Sequence, residues 1–161
     1  MVLHDVASAF CFAVGKRDLA SITSPFSSTT DGRVAAFSNC GGTGGHTYKF
    51  FTVLDPGSSI SIGQTNNSFD SMVSVFWNES ADPTSSPASG FKGGSNGFCT
   101  DDPDTRIFSM KNDNTARRKL WFVVNGYDAT EYGKFTIAWT VTSESASYHR
   151  MLYIADTDMQ I

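Results

Sequence analysis

The chain has 161 residues, a formal net charge of −4, 40% hydrophobic residues and 17% charged residues. This length and apolar content fit one domain with a substantial core. The acidic balance argues against nucleic acid and anionic membranes as partners, and no apolar stretch is long enough to span a bilayer. A polar but weakly charged composition favours an extracellular or cell-surface β-protein.

Residues 1–39 are predicted to form an N-terminal segment that adds strands to a following domain. Residues 6–14 are apolar enough for a strand or a short helix. Residues 21–30 are rich in Ser and Thr and fit an exposed strand or a loop, and residues 34–37 form a short strand candidate. The glycine-rich residues 40–45 then break the regular pattern.

A series of short strands separated by turns follows the glycine-rich break. The last strand shows the pattern best, because Phe135, Ile137, Trp139 and Val141 share one face and polar residues fill most of the other. Such alternation is typical of an antiparallel sheet packed on one side. The fold class predicted is all-β: an antiparallel, jelly-roll-like β-sandwich with extended terminal segments. Its strands are predicted at residues 48–54, 59–62, 72–77, 106–110, 119–124 and 134–141, with a long loop over 78–98.

The order of motifs resembles that of bacterial pre-peptidase C-terminal domains. Residues 46–51 resemble their opening strand motif, residues 68–76 resemble an S-F-D-T-x-L-x-V-Y strand, and residues 99–102 resemble an N-D-D turn. Residues 120–137 resemble a Y-Y-I-R-V-x-G-Y…G-x-F-T-L segment. The resemblance covers roughly residues 40–141 and defines a core at residues 40–142. It implies a secreted, non-catalytic jelly-roll domain that sits beside an enzyme or in a surface protein.

Acidic residues supply the best metal candidate. Asp101, Asp102 and Asp104 lie in one turn, and clustered carboxylate oxygens suit Ca²⁺. The resemblance implies that Asp70 approaches the same turn, since some relatives bind calcium. The alternative is that these aspartates hydrogen-bond the backbone of the turn, as Asp commonly does.

Three cysteines, Cys11, Cys40 and Cys99, allow one disulfide bond and three possible pairings. No C-x-x-C motif occurs, which argues against a zinc ribbon or a thioredoxin-like centre. The residues alone leave the pairing open. The resemblance implies Cys11–Cys40, because relatives often carry one cysteine near the start and another just before the opening strand.

Two features of the sequence bear on glycans. Asn66 and Asn78 stand in N-glycosylation sequons, although about two such matches are expected by chance. Trp121 is the best exposed candidate for stacking on a sugar, whereas Trp77 and Trp139 share parity with apolar neighbours and are expected in the core. No nucleophile elbow, zinc-binding histidine motif or phosphate-binding loop occurs, so no enzymatic activity is expected.

Residues 143–161 continue beyond the predicted sandwich and contain a short apolar run, Met151, Leu152, Tyr153 and Ile154. One interpretation is that this run adds an edge strand to its own domain. The other is that it completes the sheet of a neighbouring copy, which gives a homo-oligomer or a fibre. The first functional hypothesis is therefore a secreted, self-assembling structural protein. The alternative is an extracellular module, with or without a stabilising calcium ion, that binds carbohydrate or protein.

Overall fold

A computed structural model describes residues 15–35, 37, 44–85, 97–100 and 106–143. These residues form nine strands and one turn of 3-10 helix, Leu19–Ser21. The strands are β1 (Gly15–Asp18), β2 (Phe26–Thr29), β3 (Thr47–Leu54), β4 (Ser59–Asn67), β5 (Ser71–Trp77), β6 (Gly97–Thr100), β7 (Ile107–Lys111), β8 (Arg118–Gly126) and β9 (Lys134–Thr142). Within these ranges, no helix is long and apolar enough to cross a membrane.

Two sheets pack face to face. The first has the strand order β1-β3-β8-β5-β6, and the second has the order β2-β9-β4-β7. Every pairing is antiparallel except that of β1 with β3, which is parallel. The prediction of an all-β sandwich is confirmed. Both β1 and β2 come from the predicted N-terminal segment, and each pairs with a strand of the predicted core.

Alternating side chains from both sheets fill the space between them. Phe50, Phe122 and Ile137 are 1% exposed or less and belong to this main core. The face predicted for the last strand is buried at Phe135 and Ile137, and Trp139 packs against the core while partly exposed. Val141, near the end of β9, is 48% exposed, so the predicted apolar face is not buried at this position.

The two sheets differ in how their outer faces are covered. The second sheet alternates between buried and exposed residues, as β7 shows, and fits the one-sided pattern predicted for the chain. The first sheet is buried on both faces, so for this sheet the one-sided prediction was wrong. All seven residues of β5 are buried, and an outer cluster joins Phe37, Phe76, Trp121 and Val123. The uninterrupted apolar runs in β5 and β8 are the sequence signal of this second burial.

Two predicted elements differ from the structure. The predicted loop over 78–98 overlaps strand β6, which is short and pairs with β5 at the edge of the first sheet. The predicted strand over 34–37 was wrong for the described residues Val34, Ala35 and Phe37, which lie outside any strand. Phe37 instead stacks on Phe76, with ring centroids 5.8 Å apart, and covers the outer face of the first sheet.

Candidate functional site

A polar pocket of about 380 Å³ lies beside β1, at one edge of the first sheet. Its walls are the four residues of β1 (Gly15–Asp18) together with Ser21, Arg33 and Tyr48. Gly15 allows Tyr48 to lie against β1, since a Cβ atom at position 15 would stand 2.8 Å from the Tyr48 Cε2 atom. The parallel pairing of Gly15 with Tyr48 therefore depends on the missing side chain.

Two arginines approach Tyr48 in this pocket. The Nε atom of Arg17 donates a hydrogen bond to the Tyr48 hydroxyl at 3.1 Å. The Arg33 guanidinium carbon lies 4.9 Å from the centroid of the Tyr48 ring, within the range of a cation–π contact. The tyrosine, 2% exposed, thus holds two positive charges near one another in a protein of net charge −4. The pocket is suited to an anionic group.

The same pocket also contains an acidic side chain. Asp18 Oδ1 accepts a hydrogen bond from the backbone N–H of Ala20 at 2.9 Å and so begins the 3-10 turn. The Ser21 hydroxyl donates to the backbone carbonyl of Asp18 at 2.7 Å. Positive donors and a carboxylate acceptor are therefore presented together, which is the mixture that a ligand with both charged and hydroxyl groups requires.

A second concave surface crosses the outer face of the second sheet. It has a volume of about 520 Å³, and its lining includes Ser27, Thr136 and the sequon residue Asn66. The Ser27 and Thr136 hydroxyl oxygens lie 2.8 Å apart. The surface is polar and open, and Asn66 is exposed within it. A glycan on Asn66 would therefore occupy this groove, although glycosylation itself stays a prediction.

Strand β7 is one edge strand of the second sheet, as β2 is on the opposite side. It pairs with β4 along one side, and within the part of the chain that the structure describes, no strand pairs with its other side. Phe108 and Met110 point into the core, whereas Ile107 is 71% exposed. The unpaired backbone N–H and C=O groups of such an edge allow a further strand to add, and an exposed apolar side chain favours that addition.

The outer face of the first sheet is closed by an ion pair. Lys49 is 1% exposed, and its Nζ atom lies 2.7 Å from Asp82 Oδ1 and 2.8 Å from the Pro83 carbonyl oxygen. The same ammonium lies 5.7 Å from the centroid of the Phe37 ring. The contacts with Asp82 and Pro83 fasten the loop after β5 onto the sheet. We interpret the pair as structural, because the loop leaves no space for a ligand at the lysine.

The predicted sugar platform at Trp121 was wrong. Trp121 is 1% exposed and packs in the outer cluster, where its Nε1 atom donates to the Asn78 carbonyl oxygen at 3.0 Å. Asn78, the second sequon residue, is half-buried, and its side-chain oxygen accepts from the Ser80 N–H at 2.8 Å. The alternation of residues in β8 placed Trp121 on the outer face correctly, but this face is covered.

The predicted metal residues are only partly described. Asp70 is exposed, and its backbone N–H donates to Glu131 Oε2 at 3.2 Å. Asp101, Asp102 and Asp104 lie outside the described residues, so the proposed calcium site stays a prediction. Among the residues with described positions, no group of three His, Cys, Asp or Glu side chains is arranged to hold a metal ion.

Cys99 is disulfide-bonded and 2% exposed, and its sulfur lies 3.1 Å from the Ser74 hydroxyl. Cys11 and Cys40 lie outside the described residues. They are the other two cysteines of the chain, so a bridge through Cys99 uses one of them and is incompatible with the predicted Cys11–Cys40 pair. The assembly residues Met151, Leu152, Tyr153 and Ile154 also lie outside the described residues.

Comparisons with known proteins add one distant likeness. The chain matches no family model and no curated protein. Among solved structures, it is similar to the crystal structure of Aeromonas hydrophila PliG, a periplasmic lysozyme inhibitor of g-type lysozyme. The TM-score is 0.46 and the identity 13%, over 81% of this chain and 98% of that chain. Neither value is high enough to carry the inhibitor's activity to this protein, and the resemblance to pre-peptidase C-terminal domains stays a prediction.

Proposed function

We propose that this protein is a secreted, non-enzymatic structural subunit that assembles with copies of itself by adding a terminal strand to the sheet of a neighbour. The observation that carries the proposal is the unpaired edge of β7 with its exposed Ile107. The disulfide bond at Cys99 supports an oxidising, extracellular location.

The register of the second sheet places the start of the C-terminal tail near β7. Thr142, the last residue of β9, pairs with Ser59 of β4, and Ser59 pairs with Lys111 of β7. The tail therefore leaves β9 at the end of the sheet where β7 ends with Lys111, and β4 lies between the two strands. A strand that runs from this end toward Ile107 is antiparallel to β7, which is the geometry that the edge accepts.

The side chains of the tail fit the alternation of β7. In an antiparallel pair, directly opposite residues point to the same face. If Leu152 and Ile154 lie opposite Met110 and Phe108, the apolar side chains of the tail extend the core between the sheets. The backbone N–H and C=O groups at the edge of β7 gain partners in the same step.

The donor tail belongs to a neighbouring copy in this proposal. Residues 143–150 reach about 26 Å when extended, whereas the tail would cross about 14 Å, three strand spacings, to reach its own β7 edge. Reach alone therefore permits both arrangements. Exchange between copies that is head-to-tail and does not close produces chains of subunits, whereas exchange that closes produces a ring or a dimer.

Size-exclusion chromatography with light scattering, followed by negative-stain microscopy, tests the proposal. Full-length protein is expected to form oligomers or fibres, and protein lacking residues 143–161 is expected to be monomeric. Ile107→Lys is expected to weaken assembly, because a lysine on the edge blocks strand addition. Val53→Lys is the matched control, since Val53 is also an exposed apolar residue, at 40%, but lies in a strand inside the first sheet.

Addition of a peptide with the sequence of residues 148–161 separates donor from acceptor. Protein without its tail keeps the β7 edge, so it is expected to bind the peptide and stay monomeric. Full-length protein that is monomeric at all concentrations would contradict exchange between copies. Equal assembly of the Ile107→Lys and Val53→Lys proteins would contradict the role of β7.

A second candidate function, ligand binding by an extracellular module, is favoured by one specific observation. The pocket beside β1 brings Arg17 and Arg33 to the same tyrosine. The two functions use different sheets and are therefore compatible in one molecule.

A further inference from the structure

The pocket beside β1 has the size and lining of a binding site. Its volume of about 380 Å³ falls inside the range of about 300–1,000 Å³ that is usual for ligand pockets. The lining is mostly polar, and Tyr48 brings its hydroxyl group to it from a ring that is otherwise buried. The pocket lies on the first sheet, whereas the edge proposed for assembly belongs to the second sheet.

Arg17 presents a hydrogen-bonding fork to the pocket. Its Nε atom is fixed by the Tyr48 hydroxyl at 3.1 Å, and its guanidinium carbon lies 5.9 Å from the centroid of the Phe26 ring. Within the described part of the chain, its two terminal nitrogens make no hydrogen bond. A guanidinium held at Nε and open at its terminal nitrogens matches the two oxygens of a carboxylate.

Arg33 contributes charge rather than an open hydrogen-bonding group. Its guanidinium lies over the Tyr48 ring at 4.9 Å, and Arg33 makes a further contact elsewhere in the chain. Lys16 contributes less, because its ammonium donates to the Ala81 carbonyl oxygen at 3.1 Å.

Asp18 determines which anions suit the pocket. Among the described residues, its Oδ1 atom accepts from the Ala20 N–H at 2.9 Å and its Oδ2 atom makes no hydrogen bond, so Oδ2 is available as an acceptor there. A bare sulfate ion carries no hydrogen-bond donor for this carboxylate, and its charge is repelled. A ligand with a carboxylate for Arg17 and hydroxyl groups for Asp18 satisfies both ends of the pocket.

We propose that this pocket binds a sugar acid, with the carboxylate of a hexuronate on Arg17 and neighbouring hydroxyl groups on Asp18. The site does not depend on assembly through β7. An extracellular protein with such a site recognises acidic polysaccharide, so the proposal gives the binding function a chemical class of ligand. Acidic peptides share the carboxylate but lack the ring hydroxyls.

Titration of full-length protein by isothermal calorimetry, with Tyr48 and Arg17 resonances followed by NMR, tests the proposal. The probes are glucuronate and oligogalacturonate, with glucose, inorganic phosphate and an oligoglutamate peptide as comparisons. Oligogalacturonate is expected to bind with a Kd of about 1 mM or tighter. Arg17→Gln is expected to weaken binding at least about tenfold, since it removes a charge-assisted pair.

Arg117→Gln is the matched control. Arg117 is an exposed arginine that pairs with Asp55 at 2.8 Å, away from the pocket, and its replacement changes the net charge by the same amount. Binding that falls in both variants alike, or that is equally strong for phosphate, would show a general charge effect and overturn the proposal. Binding of the peptide in preference to the uronates, or no binding of uronates, would also overturn it.

Discussion

Replacement of Asp82 tests how the loop after β5 is held against the first sheet. The Asp82→Ala change leaves the buried Lys49 ammonium with the Pro83 carbonyl oxygen at 2.8 Å and the Phe37 ring as its remaining contacts. Loss of one partner from a fully buried pair costs about 3–5 kcal/mol. Asp82 is 51% exposed, and solvent screens its charge, so we expect about 1–2 kcal/mol of lost stability.

Lys49→Met completes a double-mutant cycle with Asp82→Ala. Methionine keeps the apolar stem and removes the buried charge, so its cost is expected to stay below about 1.5 kcal/mol. In the double variant, the loss of Asp82 adds little, which gives a coupling energy of about 1 kcal/mol. Urea unfolding at a concentration where the protein is monomeric measures all four stabilities. An Asp82→Ala protein as stable as the parent would refute the role of the ion pair.

Three further predictions concern single positions. Trp121→Phe removes the hydrogen bond to the Asn78 carbonyl oxygen, so urea unfolding is expected to show a loss of about 1–3 kcal/mol in stability, with sugar binding unchanged. A loss of sugar binding at unchanged stability would contradict the burial of Trp121. The Thr130 hydroxyl, followed by the Thr130 N–H, holds the pKa of Asp128 below its ordinary value of 3.8. The resulting contribution to stability is present above the unfolded pKa of Asp128 and is lost as the pH falls through its folded pKa. Because Thr130→Val removes the hydroxyl hydrogen bond, it is expected to raise the Asp128 pKa in an NMR titration. An unchanged pKa would contradict this cause. If the calcium hypothesis is correct, EDTA lowers the melting temperature and Asp70→Asn removes that effect, whereas an unchanged melting temperature with EDTA would end it.

The regular alternation of polar and apolar residues made the fold class predictable. Phe135 and Ile137 entered the core as expected, and β3, β5, β8 and β9 lie within two residues of their predicted ends. Local patterns were sufficient here because a side chain's face in a strand depends only on its parity. The same parity does not tell whether a face is covered, which is why Trp121 was placed on the outside and wrongly expected to be exposed.

The pocket beside β1 could not be predicted from the sequence. Arg17 and Arg33 are sixteen positions apart; Arg17 meets Tyr48 through the parallel pairing of β1 with β3, and Arg33 reaches the same ring from the segment after β2. No local pattern encodes that pairing, since it depends on the tertiary path of the chain. Gly15 is the one available signal, because a glycine in a strand often marks a close approach of another group.

Light scattering on full-length protein, with and without residues 143–161, tests the central claim most directly. Exchange of the C-terminal strand between copies predicts a mass that rises with concentration for the full-length protein and a constant monomer mass for the shortened one. Ile107→Lys is expected to resemble the shortened protein, and Val53→Lys the full-length one. A full-length protein that remains a monomer at every concentration would contradict the claim.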